Sequence, residues 1–236
     1  MNWEAMQMNI VAIGAHPDDL EIFTFGVLAA ASARGDTLYL GVATDGAAGG
    51  ENPGPALATQ RANETSAGLA PLGTPTLLGL PDGRLADAPE AREQITDFIR
   101  AATPDLVITH APEDYHPDHR ALSSFVTDAA GFICPVLFCD TLMGVGFTPD
   151  YYIDISEHFT AKQNAILAHN SQDPSRFVSA SKIMNRFRAA QCNAPEGNYA
   201  EAYRINNRFP FADVRDLLPK PPPFRPFYVS GSDALI

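Results

Sequence analysis

The sequence predicts one α/β domain over residues 1–236, with a Rossmann-like, mostly parallel sheet flanked by helices on both faces. Three observations point there. Short apolar runs alternate with longer helical patterns from residue 8 to residue 130, the rhythm of successive βαβ units. No internal repeat, low-complexity linker or shift in composition marks a domain boundary. Two clusters of His and Asp each follow a strand-like run, at the sheet end where α/β folds bind ligands.

The elements follow in order. Residues 8–15 form the first apolar run and read as a strand, and Leu20 to Arg34 reads as a helix ended by Gly35-Asp36. Thr37 to Thr44 is a second strand, and the Gly- and Pro-rich stretch from Asp45 to Pro55 is a loop. Ala58 to Ala70 has a helical pattern. Thr76 to Leu80 is a short third strand that stops at the turn Pro81-Asp82-Gly83. Pro89 to Ala102 suits a helix with proline in its first turn, Leu106 to Thr109 a fourth strand, and Pro117 to Ala130 another helix opened by proline. Beyond residue 131 the rhythm changes: 136–139 and 151–155 read as strands, and about 157–170 and 174–190 as helices. The proline-rich segment from Pro219 cannot form regular helix and is expected to lie over the surface.

Composition narrows the function classes. A hydrophobic fraction of 45% and a charged fraction of 19% suit a globular protein with a substantial core. The net charge of -12, with no basic block to neutralise phosphates, argues against nucleic acid or an anionic membrane as the main partner. Cys134, Cys139 and Cys192 are an odd number and contain no C-x2-C pair, so neither a disulfide framework nor a zinc ribbon is indicated. The N-terminus lacks a basic segment followed by a long apolar one, and the longest apolar run, Ala129 to Cys139, is too short to span a bilayer. A soluble, cytoplasmic protein is the expectation.

The chemistry concentrates in the two clusters, Ala15-His16-Pro17-Asp18-Asp19 after the first strand and His110-Ala-Pro-Glu113-Asp114-Tyr115-His116-Pro117-Asp118-His119 after the fourth. A hydrolytic zinc centre uses three His or carboxylate ligands and an open position at which water becomes acidic. His16 and Asp19 lie where a strand turns into a helix, so both can face one point, and His119 sits in the first turn of another helix. Asp18 is then left as a base, His116 as an acid or oxyanion group, and Asp118 as a carboxylate that can orient an imidazole. Taken alone, each cluster reads equally well as something plainer: His-Pro-Asp-Asp as a helix N-cap and His-Pro-Asp-His as a surface loop. Their joint placement at two parallel strand ends favours the site.

These residues resemble a known family. Ala-His-Pro-Asp-Asp-x-Glu after the first strand, with His-Pro-Asp-His-Arg after the fourth, is similar to the LmbE-like (PIG-L) zinc-dependent N-deacetylases, among them amino-sugar deacetylases of mycothiol, bacillithiol and GPI-anchor synthesis. Thr44-Asp45-Gly46, Arg61-x-x-Glu64, Leu72-Gly73, Leu78-Gly-Leu-Pro-Asp82-Gly83, Lys162, His169-Asn-Ser171-Gln172 and Tyr199-Ala-Glu201-Ala-Tyr203 extend the resemblance through most of the chain. It implies His16, Asp19 and His119 as ligands of Zn2+, or of Fe2+ or another divalent metal in the same site. It implies Asp18 as general base, His116 as acid or electrostatic stabiliser, and Asp118 as the partner of His116. Arg61 and Asp82 become candidates for sugar binding, against the plainer readings of a helix salt bridge with Glu64 and a turn aspartate. Tyr115 is expected at the mouth of the site; His169, on a helix, reads equally as a packing residue. A small amino-sugar conjugate is the implied partner, and homo-oligomerisation into trimers or hexamers is implied by resemblance alone.

One segment departs from the pattern. Family members commonly carry a Gly-rich stretch after the glutamate, where this chain has Ile22-Phe23-Thr24-Phe25-Gly26, so the packing or the pocket wall differs there. Motifs for other chemistries are missing: there is no G-x-S-x-G, no Walker A and no G-x-G-x-x-G. The expected activity is removal of an N-acyl group, acetyl foremost, from an amino-sugar-containing molecule. The rivals are an amidase for a non-acetyl amide, such as a thiol conjugate, and a non-catalytic metal- or nucleotide-binding protein. A purely structural metal would need neither Asp18 nor His116.

Overall fold

The computed structural model describes residues 7–207 and 214–223. Residues 1–6, 208–213 and 224–236 lie outside the described residues, and with them the expectations for the N-terminus and the last part of the proline-rich segment. Seven strands form one sheet in the order β3-β2-β1-β4-β5-β7-β6. These are β1 (Asn9–Gly14), β2 (Thr37–Thr44), β3 (Thr76–Leu80), β4 (Leu106–Thr109), β5 (Val136–Cys139), β6 (Tyr151–Asp154) and β7 (Ala200–Ile205). The first five pair in parallel; β7 runs antiparallel to both β5 and β6. This is the mostly parallel α/β sheet that the alternation predicts.

β1 shows why the sheet is covered on both faces. Ile10 and Ala12 belong to one core with Phe25, Leu28, Phe159 and Tyr203, whereas Val11 and Ile13 belong to the other with Ile95, Ile99, Leu122 and Val126. Successive side chains of a strand point to opposite faces, so a run apolar at every position must be buried on both. The helices on one side are α1 (Asp19–Phe23), α2 (Phe25–Arg34) and α6 (Phe159–Leu167); α4 (Ala91–Ala101) and α5 (Pro117–Ala130) cover the other. α3 (Pro55–Leu69) and α7 (Pro174–Gln191) complete the α-helices among the described residues.

Two departures from expectation have physical causes. The helix expected over Leu20 to Arg34 is broken at Thr24, whose φ of -134° and ψ of -3° are not helical. The cause is distant in sequence: Glu201 on β7 accepts hydrogen bonds from the Gly26 and Val27 amides at 2.9 and 2.8 Å, capping a fresh helix N-terminus. Gly26 is also where α2 abuts its neighbours, since a Cβ there would stand 2.8 Å from Glu201 Oε1. The second departure is the start of the proline-rich segment, where Pro219 and Pro222 are buried rather than lying over the surface, while Lys220, Pro221 and Pro223 stay exposed. Just before it Val214 and Leu218 join the core, and the Lys220 carbonyl accepts from the Asp154 amide.

The site follows from the register. Ile10 pairs with Leu106 and Ala12 with Ile108, so the carboxyl ends of β1 and β4 lie side by side at the centre of the sheet. The two His/Asp clusters leave the sheet as neighbours, flanked by the loops that follow β2 and β3.

Candidate metal centre

The turn from β1 into α1 is wound tightly around Asp19. The Asp19 amide donates to the His16 carbonyl at 3.2 Å, and the His16 amide donates to Asp19 Oδ2 at 2.6 Å. Between them Asp18 has a φ of 109°, a left-handed conformation that costs a non-glycine residue energy and persists only where its surroundings hold it. Arg61 is what holds it. Its buried guanidinium donates to the Pro17 carbonyl at 2.6 Å, to Asp18 Oδ2 at 3.1 Å and to the Gly46 carbonyl at 3.1 Å.

His16, Asp19 and His119 meet at one point. His16 Nδ1 lies 3.2 Å from His119 Nε2, and Asp19 Oδ2 lies 3.4 Å from each of those nitrogens. Ligand atoms at tetrahedral angles, at bond lengths of about 2.0–2.1 Å, stand about 3.3 Å apart, so the triangle has the edges that a tetrahedral zinc requires. Two imidazoles and one carboxylate also suit zinc chemically. Outer groups brace the triangle. His16 Nε2 faces Asp82 Oδ1 at 3.1 Å and Asp118 Oδ2 at 3.3 Å, while His110 stacks on His119 with ring centroids 3.7 Å apart and brings Nε2 to 3.1 Å from Asp19 Oδ2. Other donor sets of the same cluster are His16, His116 and His119; Asp19, His110 and His119; and His16, Asp82 and Asp118.

Charge is distributed accordingly. Burial alone would raise the Asp19 carboxyl, but the His119 and His110 imidazoles beside it hold it well below the usual carboxylate range. Asp18 goes the other way: burial pushes it up to about 6, against the pull of Arg61. His116 is lowered by burial, reinforced by His16 and His119. Two adjacent carboxyls are thus pushed in opposite directions by their surroundings.

His116 caps α5. Its Nδ1 accepts the Asp118 amide at 3.2 Å, which leaves Nε2 to carry the proton when the ring is neutral. The Asp118 carboxylate does not pair with His116, contrary to the sequence expectation. It accepts the Gly83 and Leu85 amides at 2.6 and 3.1 Å and faces His16 instead, tying the β3 turn to a candidate ligand. Asp82 also braces His16, and accepts the Ala48 amide at 2.9 Å.

A cleft of about 270 Å³ opens above the triangle. Its lining includes polar groups, Asp18, Arg61 and Asp82, and apolar ones, Phe23, Leu142 and Phe177. Tyr115 stands at the rim with 67% of its surface exposed. Phe23 makes T-shaped contacts with the His110 and His119 rings, whereas Phe25 is fully buried in the core. His169 lies outside the cleft lining and follows α6 rather than lying on a helix; it bonds Glu21 Oε1 at 2.8 Å, and the same oxygen accepts from Thr65, tying α1 to α3 and to the segment after α6. Sequence reasoning assigned no part to Asp114, whose Oδ1 lies 3.1 Å from His119 Nδ1, and left His110 without a role. The one sequence signal for Asp114 is its place in the same short loop as His116 and His119.

The PIG-L family model, described as GlcNAc-PI de-N-acetylase, matches residues 11–130. A diacetylchitobiose deacetylase of Thermococcus kodakarensis is 30% identical over 188 residues, covering 70% of this chain and 70% of that protein. The N,N'-diacetylchitobiose deacetylase structure of Pyrococcus horikoshii superimposes with a TM-score of 0.72 at 23% identity, over 89% of this chain and 88% of that one. The 4-carboxy-2-hydroxymuconate hydratase structure of Pseudomonas putida gives a TM-score of 0.76 at 19% identity, over 89% of this chain and 100% of that one. These structures share the fold. Because one is described as a deacetylase and the other as a hydratase, activity has to be argued from the site.

Proposed function

The chain belongs to the PIG-L (GlcNAc-PI de-N-acetylase) family, and on that premise we propose that it is a zinc-dependent hydrolase removing an N-acyl group, acetyl foremost, from an amino-sugar-containing small molecule. The observation that carries the reading is the triangle of His16 Nδ1, Asp19 Oδ2 and His119 Nε2, with Asp18 and His116 lining the same cleft. The 30% identical relative, described as a diacetylchitobiose deacetylase, supports an amino sugar as the substrate class.

His16, Asp19 and His119 would hold the metal. When bound there, a divalent ion supplies Lewis acidity, lowering the pKa of water and polarising an amide carbonyl. Asp18 accepts the proton of the attacking water, with its carboxylate held by Arg61. The His116 Nε2–H donates to the carbonyl oxygen as negative charge develops, and the proton taken up by Asp18 passes, with His116 as the acid of the site, to the leaving nitrogen as the C–N bond breaks. Asp118 and Asp82 keep the His16 ring in place. On the cleft wall, Arg61 and Asp82 present the polar surface suited to sugar hydroxyls, with Tyr115 at the rim. The apolar lining of Phe23, Leu142 and Phe177 suits the acyl group.

Acetate release from a panel of N-acetylglucosaminyl conjugates, with and without chelator, tests the reading. Release from at least one conjugate, abolished by chelator and restored by zinc, is expected. Cleavage only of non-acetyl amides would replace the acyl group in the reading, and no amide cleavage by zinc-loaded protein would overturn it.

A further inference from the structure

We infer that Asp114 is a positioning residue that orients His119 toward the metal and, through the same oxygen, fixes the turn bearing His116. Asp114 is 2% exposed and lies in the loop between β4 and α5. Its Oδ1 accepts the His116 amide at 2.9 Å and lies 3.1 Å from His119 Nδ1. The loop is pinned: the Asp114 amide donates to the Ala111 carbonyl at 3.2 Å, and Arg120 donates to the Asp114 and Tyr115 carbonyls at 2.7 and 2.6 Å.

The polar inventory points the same way. His119 Nδ1 and Asp114 Oδ2 are both buried and neither has an aligned hydrogen-bond partner. A buried ring N–H left in this condition is costly, and the carboxylate standing 3.1 Å from His119 Nδ1 is that of Asp114. With Nε2 turned to the triangle of ligand atoms, the proton of a neutral His119 belongs on Nδ1, facing Asp114. A metal-binding imidazole whose other nitrogen donates to a carboxylate is fixed in tautomer and ring orientation and made more basic as a ligand. Asp114 does this for His119 as Asp82 and Asp118 do for His16, so each candidate imidazole ligand has its own carboxylate. What distinguishes Asp114 is that it also receives the amide of His116, so the ligand and the acid group share one anchor.

The inference rests on His119 being a metal ligand, and the test separates the two. Zinc affinity is measured by competition with a chromophoric chelator for the wild type, Asp114→Asn, Asp114→Glu and the exposed control Asp128→Asn. Failure of the wild type to bind zinc would refute the ligand reading itself. With zinc bound by the wild type, Asp114→Asn is expected to weaken affinity about 10- to 100-fold. Asp114→Glu should weaken it less, because it keeps the charge but displaces the oxygens, and Asp128→Asn should change nothing. Zinc-loaded wild type should also show a slowly exchanging, downfield imidazole N–H resonance from His119 that is lost in Asp114→Asn. Affinity unchanged in Asp114→Asn overturns the inference. So does a His119 Nδ1 proton that exchanges freely with water in the zinc-loaded wild type, a result that holds even if the Asn variant does not fold.

Discussion

Two buried polar networks lie close together in this molecule, and they differ in whether their groups are satisfied. Around Glu201, four donors meet one carboxylate: the Gly26 and Val27 amides, Lys162 Nζ at 2.7 Å and the Tyr203 hydroxyl at 2.7 Å. Around Asp19, ring nitrogens converge on one carboxylate oxygen and on each other, while His110 Nδ1, His119 Nδ1 and Asp114 Oδ2 lack aligned partners. Both networks are buried and rich in charge. The saturated one is a joint of the fold, because nothing more can be added to it. The unsaturated one has donor atoms aimed at a common point, which is what a ligand site requires.

The contrast is breakable by substitution. Asp19→Ala should have the largest effect, abolishing tight zinc binding while the protein stays folded, as read by metal content after dialysis and by circular dichroism. Asp18→Asn comes next: it should keep zinc and lose about 10²–10⁴-fold in turnover, the usual worth of a general base. Loss of zinc in that variant would mean that the roles of the two adjacent carboxylates are reversed. Glu201→Gln should act on the other network, destabilising the fold by about 3–5 kcal/mol because it leaves buried Lys162 uncompensated. In chemical denaturation its midpoint should fall, while zinc affinity in the folded protein stays near that of the wild type. A Glu201→Gln protein that lost zinc in proportion to its stability would show the two networks to be one.

The same contrast explains what could be read from the chain. β3 and α5 are found over Thr76–Leu80 and Pro117–Ala130, as their punctuation by Pro, Asp and Gly indicates, because local turn chemistry sets those ends. The candidate ligands were legible because both clusters sit at the ends of apolar runs, and parallel neighbours bring such ends together. β7 was not read as a strand, since the charged Glu201 is its second residue and only its partners from α2 and α6 make it a buried one. The break at Thr24 is hidden for the same reason: it is imposed by a side chain 175 residues from Gly26. Asp118 was legible as a carboxylate that orients an imidazole, but which imidazole depends on the direction it takes from the Gly83 and Leu85 amides. Motifs locate the atoms of a site; the pairings among them are tertiary.

The position of the metal is the most direct test of the site. Crystals of zinc-loaded protein, measured on both sides of the zinc absorption edge, should give one dominant anomalous peak within about 2.0–2.2 Å of His16 Nδ1, Asp19 Oδ2 and His119 Nε2. A dominant peak on the other side of the His16 ring, between Nε2, Asp82 and Asp118, or no peak in the cluster at all, would contradict it.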